Sequence, residues 1–247
     1  TPLYSSAASD VYKRQALAAL AAYPELGCTG GPYEVEKGWG VFEEVFCPTD
    51  TTIRFLENVL TEVMELFPGP IIHIGGDECP KESWKVCAHC QQLMKEEGLK
   101  DEHELQSYFI QRIERFVNSK GRKIIGWDEI LEGGLAPNAA VMSWRGMKGG
   151  IEAAKQGHEV VMSPSDFAYI DYMQGDASIE PPVYSTLRLK KAYQFEPVPE
   201  GVNASLIKGG QANLWTEQVY NMRHAQYMTL SLIHISEPTR RTPISYA

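Results

Sequence analysis

The sequence predicts an α/β fold built on a parallel sheet, arranged as a (β/α)8 (TIM) barrel. Three observations predict it. The strands are short and apolar throughout, as strands covered by helices on both faces are. Amphipathic helices alternate with them. Acids and tryptophans stand directly after the strands, at the rim where such a barrel builds its active site. A doubly wound open sheet also binds ligands at strand C-termini, but Gly75-Gly76 is too short for its glycine-rich phosphate turn.

The elements follow in order. Residues 51–67 place Ile53, Leu56, Leu60, Val63 and Phe67 on one helical face, with Asp50 as N-cap and Pro68-Gly69-Pro70 as the stop. Residues 71–74 form a buried strand that leads into Gly75-Gly76-Asp77-Glu78. A helix over 102–119 turns Leu105, Phe109, Ile113 and Phe116 inward and stops at Gly121. The strand 123–126 ends at Trp127-Asp128-Glu129, and the strand 139–143 ends at Trp144-Arg145. A short helix near 150–156 precedes the strand 160–162. An excursion carrying Tyr169 and Asp171 opens an aromatic, proline-rich loop over about 172–200. Leu206-Ile207 opens the last strand, which reaches Asn213-Leu214-Trp215-Thr216-Glu217. Five strands can be counted where a closed barrel needs eight.

Composition bounds the function. The chain has 247 residues, 43% apolar and 22% charged, which suits one globular domain. A formal charge of -9 with no basic stripe argues against nucleic acid as a partner. No apolar run approaches the roughly 18–20 residues that span a bilayer. The oligomeric state is not legible. The segments 1–15 and 231–247 carry no periodicity and resemble translated sequencing adapter, so they are set aside as a non-native leader and tail around a partial catalytic domain at 16–230. Without them the remainder is still more acidic. The cysteines are Cys28, Cys47, Cys79, Cys87 and Cys90. Cys87-Ala-His-Cys90 is metal-like, but a structural zinc site takes two ligand pairs and no second pair stands near it in sequence. Buried thiols or local disulfides are therefore expected, with no metal and no cofactor.

Asp77-Glu78 is the sharpest chemical feature. Two adjacent carboxylates at the end of a buried strand are costly unless solvated, paired or used. A retaining glycosidase of the common kind has its acid and nucleophile about 5 Å apart on opposite sides of the sugar. Neighbours on one strand end approach from the same side instead. One can protonate a leaving oxygen while the other handles a group beside the anomeric carbon. A solvated acidic loop is the plainer alternative.

His73-Ile-Gly-Gly-Asp77-Glu78 resembles the catalytic motif of family 20 glycoside hydrolases, the β-N-acetylhexosaminidases. Gly126-Trp127-Asp128-Glu129, Ser143-Trp144-Arg145, Tyr169-Ile-Asp171 and Asn213-Leu-Trp215-Thr-Glu217 resemble later motifs of that family, in order, so that roughly strands 4 to 8 of its barrel are present. The resemblance implies removal of terminal N-acetylhexosamine from β-linked glycans with retention, the substrate's own 2-acetamido oxygen attacking the anomeric carbon. It implies Glu78 as general acid and then base, and Asp77 as acceptor of the acetamido N–H. Tyr169 would donate to the acetamido carbonyl. Trp127, Trp144 and Trp215 would wall the pocket. Asp171 and Glu217 would accept from sugar hydroxyls, and His73 would support the carboxylates from behind.

Trp84 reads as core. The family's first three strands, one bearing a sugar-gripping arginine, are not found before Ala16, so the isolated polypeptide is expected to be inactive and poorly folded. A periplasmic or extracellular location follows from the resemblance alone. Two other readings stay open: a barrel enzyme using carboxylates for metal binding or enolisation, and a non-catalytic carbohydrate-binding protein.

Overall fold

The computed structural model of the protein describes residues 14–236, apart from Glu36, Trp39, Ala177, Ile179 and Tyr184. Residues 1–13 and 237–247, the bulk of the expected leader and tail, lie outside the described residues. Helical structure passes both expected limits: α1 spans Arg14–Ala22 and the last helix continues to Ser236. The chain divides into two compact units. One runs through Met142 and includes Gln156–Glu159; the other holds Ser143–Lys155 and the described residues from Val160 onward.

In the first unit, α2 (Asp50–Leu66) buries Thr52, Ile53, Leu56, Leu60 and Met64. Two expectations are corrected here. The N-cap is Thr49, not Asp50: its hydroxyl accepts from the Thr52 amide at 3.1 Å. Asp50 stands in the first turn, exposed, and pairs with Arg112 at 3.1 Å. The inward face ends at Met64, while Phe67 has left the helix and is exposed. Arg122 closes the C-terminal end by donating to the Met64, Phe67 and Gly69 carbonyls, which the proline-rich stop leaves without helical partners.

β1 (Ile71–His73) pairs in parallel with β2 (Lys123–Trp127), with Ile72 opposite Ile124 and His73 opposite Ile125. β2 pairs with β3 (Ala140–Ser143), Gly126 opposite Val141 and Trp127 opposite Met142. Between β1 and β2 come α3 (Glu82–Val86), α4 (Ala88–Glu97) and α5 (Glu102–Ser119). α5 matches its expected bounds because Asp101 caps it, accepting from the His103 and Glu104 amides at 2.9 and 3.0 Å. It lays Leu105, Phe109, Ile110, Ile113 and Val117 on β2 and α2; Phe116 is only half-buried, and Val117 takes its place. Each such side chain contributes roughly 1.5–3 kcal/mol of burial.

In the second unit, α6 (Lys148–Lys155) packs on β4 (Val160–Met162). A side chain at Gly150 would stand 2.6 Å from the Met162 sulfur, so glycine permits this approach. β4 pairs in parallel with β5 (Ile207–Gly210). β5 is shorter than expected. Leu206 closes a 3-10 turn before it, and Gly209 at φ 139° accompanies a register irregularity. Beyond β5 the Gln211 amide still donates to the Met162 carbonyl at 2.8 Å, and Asn213 forms an isolated bridge with Tyr169. α7 spans Ser165–Ala168. The expected 172–200 loop contains α8 (Leu189–Tyr193), and Leu187, Ala192 and Ile170 form a small core beneath it with Tyr172 and Leu214. α9 spans Met222–Ser236. Among the described residues no helix is long and apolar enough to cross a membrane.

Candidate active site

The first unit positions the acid pair through left-handed backbone. Parallel pairing continues past β1, since Ile74 donates to Ile125 and Trp127 donates to Gly75, both at 2.9 Å. The chain then turns at Gly75 (φ 73°) and Gly76 (φ 95°). A Cβ on Gly76 would lie 2.5 Å from Ile130 Cγ2, and one on Gly126 would lie 2.9 Å from the Gly75 carbonyl. Glycine at both places lets two strand ends approach closely. Asp77 follows, 2% exposed. Glu78 is exposed and holds φ 46°, alone among the described non-glycine residues in having positive φ. For an L-residue that backbone costs roughly 1–2 kcal/mol, and strain of this kind concentrates at functional sites.

Neighbouring groups secure the turn. The Gln106 amide donates to the Gly76 carbonyl at 2.7 Å, and its oxygen accepts from Lys81 Nζ. Lys81 also donates to the Cys79 carbonyl at 2.6 Å. Gln106 is 1% exposed, so these bonds are made out of water. Behind the pair, His73 Nδ1 accepts from the Gly75 amide at 3.0 Å, fixing the ring against Trp127 with centroids 4.9 Å apart. Trp127 at the end of β2 and Asp128 and Glu129 directly after it are all buried.

The second unit gathers aromatic rings. Tyr169 lies nearly parallel to Trp144 at 6.2 Å, edge-on to Trp215 at 6.2 Å, and tilted on Tyr172 at 5.6 Å. Hydrogen bonds place them. Ser143 Oγ donates to the Gly146 carbonyl at 2.7 Å and accepts from the Gly150 amide at 2.8 Å, closing the turn that carries Trp144. Ile170 donates to the Asn213 carbonyl at 2.9 Å, and the Asn213 side chain donates to Ser163 at 2.8 Å, tying Tyr169 to the segment bearing Trp215. Asp171 is 4% exposed. Burial, and then the Asp171 charge, push the Tyr172 phenol upward. Glu217 is exposed, two residues beyond Trp215.

The family described as glycosyl hydrolase family 20, catalytic domain, matches residues 15–233. A β-hexosaminidase of Porphyromonas gingivalis is 47% identical over 91% of the chain. The chain belongs to family 20. It spans 30% of that relative's length and 30% of a Vibrio furnissii β-hexosaminidase that is 36% identical over 72% of the chain. Among solved structures, a Vibrio harveyi exo-β-N-acetylglucosaminidase in complex with N-acetylglucosamine superposes with a TM-score of 0.77, at 30% identity over 91% of this chain and 38% of that one. A β-N-acetylhexosaminidase from Bacteroides fragilis gives 0.75 at 28% identity, over 87% and 44%. The fold is thus that of the family's (β/α)8 barrel, to which the described residues contribute the parallel strands β1–β3 and the parallel pair β4–β5.

With family 20 established, the sequence motifs sort by unit. His73, Asp77, Glu78 and Trp127 meet in the first; Trp144, Tyr169 and Trp215 meet in the second, with Asp171 buried beside Tyr172. Trp84 is core, fully buried with its indole N–H donating to the Phe46 carbonyl at 2.9 Å. Gln106, Lys81 and Tyr172 were not singled out from the sequence. Gln106 interrupts the apolar face of α5, a polar residue at an inward position, and that was the available signal. Nor was the second cysteine pair foreseen. Cys28 and Cys47 converge on Cys87 and Cys90, so the fold brings together the second pair that local spacing does not show.

Proposed function

We propose that this chain is part of a glycosidase that removes terminal non-reducing N-acetylhexosamine from β-linked glycans, with retention, using the substrate's acetamido oxygen as nucleophile. The observation that carries the reading is a buried Asp77 joined to a Glu78 held at φ 46° at the C-terminal end of β1. Adjacent carboxylates on one strand end suit a proton donor and an anion acting from the same side of a sugar. In this reading Glu78 protonates the leaving oxygen and then deprotonates water, while Asp77 accepts the acetamido N–H and steadies the growing positive charge. Tyr169 donates its hydroxyl to the acetamido carbonyl. Trp127, Trp144 and Trp215 offer ring faces to the acetamido methyl and the sugar C–H face. Asp171 and Glu217 accept from sugar hydroxyls, and His73 positions Asp77 through the Gly75 turn. The family's relatives supply the further proposal of a periplasmic or extracellular location, which cell fractionation checks.

The test uses a protein carrying this chain, assayed on an aryl β-N-acetylglucosaminide with and without a thiazoline mimic of the cyclic intermediate. Strong inhibition by the mimic supports neighbouring-group attack. Insensitivity to it points to a protein nucleophile and overturns the reading. Turnover that depends on added Mg2+, which a thiolate set does not bind, favours metal-assisted barrel chemistry, and sugar binding without turnover favours a lectin-like role.

A further inference from the structure

We propose that Cys28, Cys47, Cys87 and Cys90 form a structural zinc site that clamps the segment before α2 onto α3 and α4. The four sulfurs come from three separate stretches of chain yet all lie within 4.8 Å of one another. Cys90 Sγ stands 3.7 Å from Cys28 Sγ and 3.7 Å from Cys47 Sγ, and Cys47 Sγ stands 3.9 Å from Cys87 Sγ. A tetrahedron with zinc–sulfur bonds of about 2.3 Å has edges of about 3.8 Å, so these separations are those of thiolates around one ion. A set this tight holds a single ion; it is too small to enclose a polynuclear iron–sulfur cluster. A disulfide would single out partners, whereas Cys90 faces two sulfurs at equal distance.

The surroundings suit such a site. Cys47, Cys87 and Cys90 are buried, Cys90 completely. Cys87 immediately precedes α4 and Cys90 lies in its first turn, where the positive end of a ten-residue helix eases thiolate charge. Cys28 and Cys47 are brought together by backbone pairing: Gly27 bridges Phe46, and the Cys47 amide donates to the Leu26 carbonyl at 2.8 Å. The same surfaces are joined again by the Trp84 indole on Phe46 and by Ser83 Oγ on the Glu43 carbonyl at 2.6 Å. α3 follows the acid pair by four residues, so the clamp also steadies the far end of the Asp77-Glu78 loop. Cys79, the fifth cysteine, stands outside the set.

Zinc binding by four thiols releases their protons and changes no oxidation state, so no co-reactant is needed. The experiment is metal analysis of the full chain purified without chelator, beside a count of titratable thiols under denaturing conditions. The expected result is about one zinc per chain, all five thiols reduced, and zinc released in step with mercurial titration of four of them. Replacing zinc by Co2+ should give the absorption of tetrahedral tetrathiolate cobalt. Cys79→Ser should leave the zinc content unchanged, whereas Cys90→Ser should lose it. Should Cys90→Ser fail to fold, the cobalt spectrum of the unmutated chain still decides. Two disulfides with one free thiol and no metal would overturn the proposal, as would stoichiometric iron. Neither readout depends on enzymatic activity, so failure here leaves the glycosidase reading standing.

Discussion

Gly76→Ala tests whether close approach of strand ends builds the acid turn. Two separate penalties are expected. At φ 95° a Cβ costs about 1–2 kcal/mol from backbone strain. It also falls 2.5 Å from Ile130 Cγ2, well inside the 3.4 Å of ordinary contact, and Ile130 is 1% exposed with nowhere to go. Overpacking of this kind costs a further 1–3 kcal/mol or so. The penalties separate in a double-mutant cycle with Ile130→Ala, which deletes the opposing methyl and by itself costs about 2–5 kcal/mol. In that background Gly76→Ala should cost only the strain, leaving a coupling of about 1–3 kcal/mol. Urea midpoints and slopes for the four proteins measure it. Equal cost in both backgrounds would show that contact with Ile130 does not require glycine there, and the account of the turn would fall.

Glu78→Gln should lower kcat on an aryl N-acetylglucosaminide by roughly 10²–10⁴-fold with little change in fold, checked by circular dichroism beside steady-state kinetics. Tyr169→Phe should cost about 1.5–3 kcal/mol in kcat/KM, a loss of one charge-assisted hydrogen bond, while near-ultraviolet dichroism keeps the signature of the Trp144–Tyr169–Trp215 stack. Gln106→Leu strips a buried partner from the Gly76 carbonyl and from Lys81, and should destabilise by about 1–3 kcal/mol in urea titration. Asp101→Ala should cost about 1 kcal/mol at neutral pH. Backbone amides of Glu104 and His103 hold the Asp101 carboxyl below its ordinary value. Its contribution is therefore present above about pH 3.9 and lost as pH falls through the lower folded value, so mutant and parent should converge in acid.

Much of the framework was legible because it is local. Apolar periodicity marks α2 and α5, and apolar runs mark the strands that the fold places at 71–73, 123–127, 140–143 and 160–162. The order of strand, turn, acid and tryptophan was likewise written in the residues, and with it the family. Local signals misled where two neighbours competed for one role: Thr49 and Asp50 can both cap a helix, and only the backbone entering α2 selects Thr49. At β5 the ladder skips Lys208, with Val160 facing Ile207 and Val161 facing Gly209 at φ 139°, an irregularity that the strand's apolar start does not announce.

The sequence alone determined what is encoded in spacing along the chain: the alternation of helix and strand, and the position of the acid pair after a buried strand. Tertiary structure decided what depends on distant segments meeting. It put Glu78 into left-handed backbone, brought Gln106 thirty residues back onto the turn, and drew Cys28 to within 3.7 Å of Cys90 across 62 positions. No periodicity records such meetings, because they are fixed by the packing of α3, α4 and α5 against the strands and the loop before α2, not by any residue's own preference.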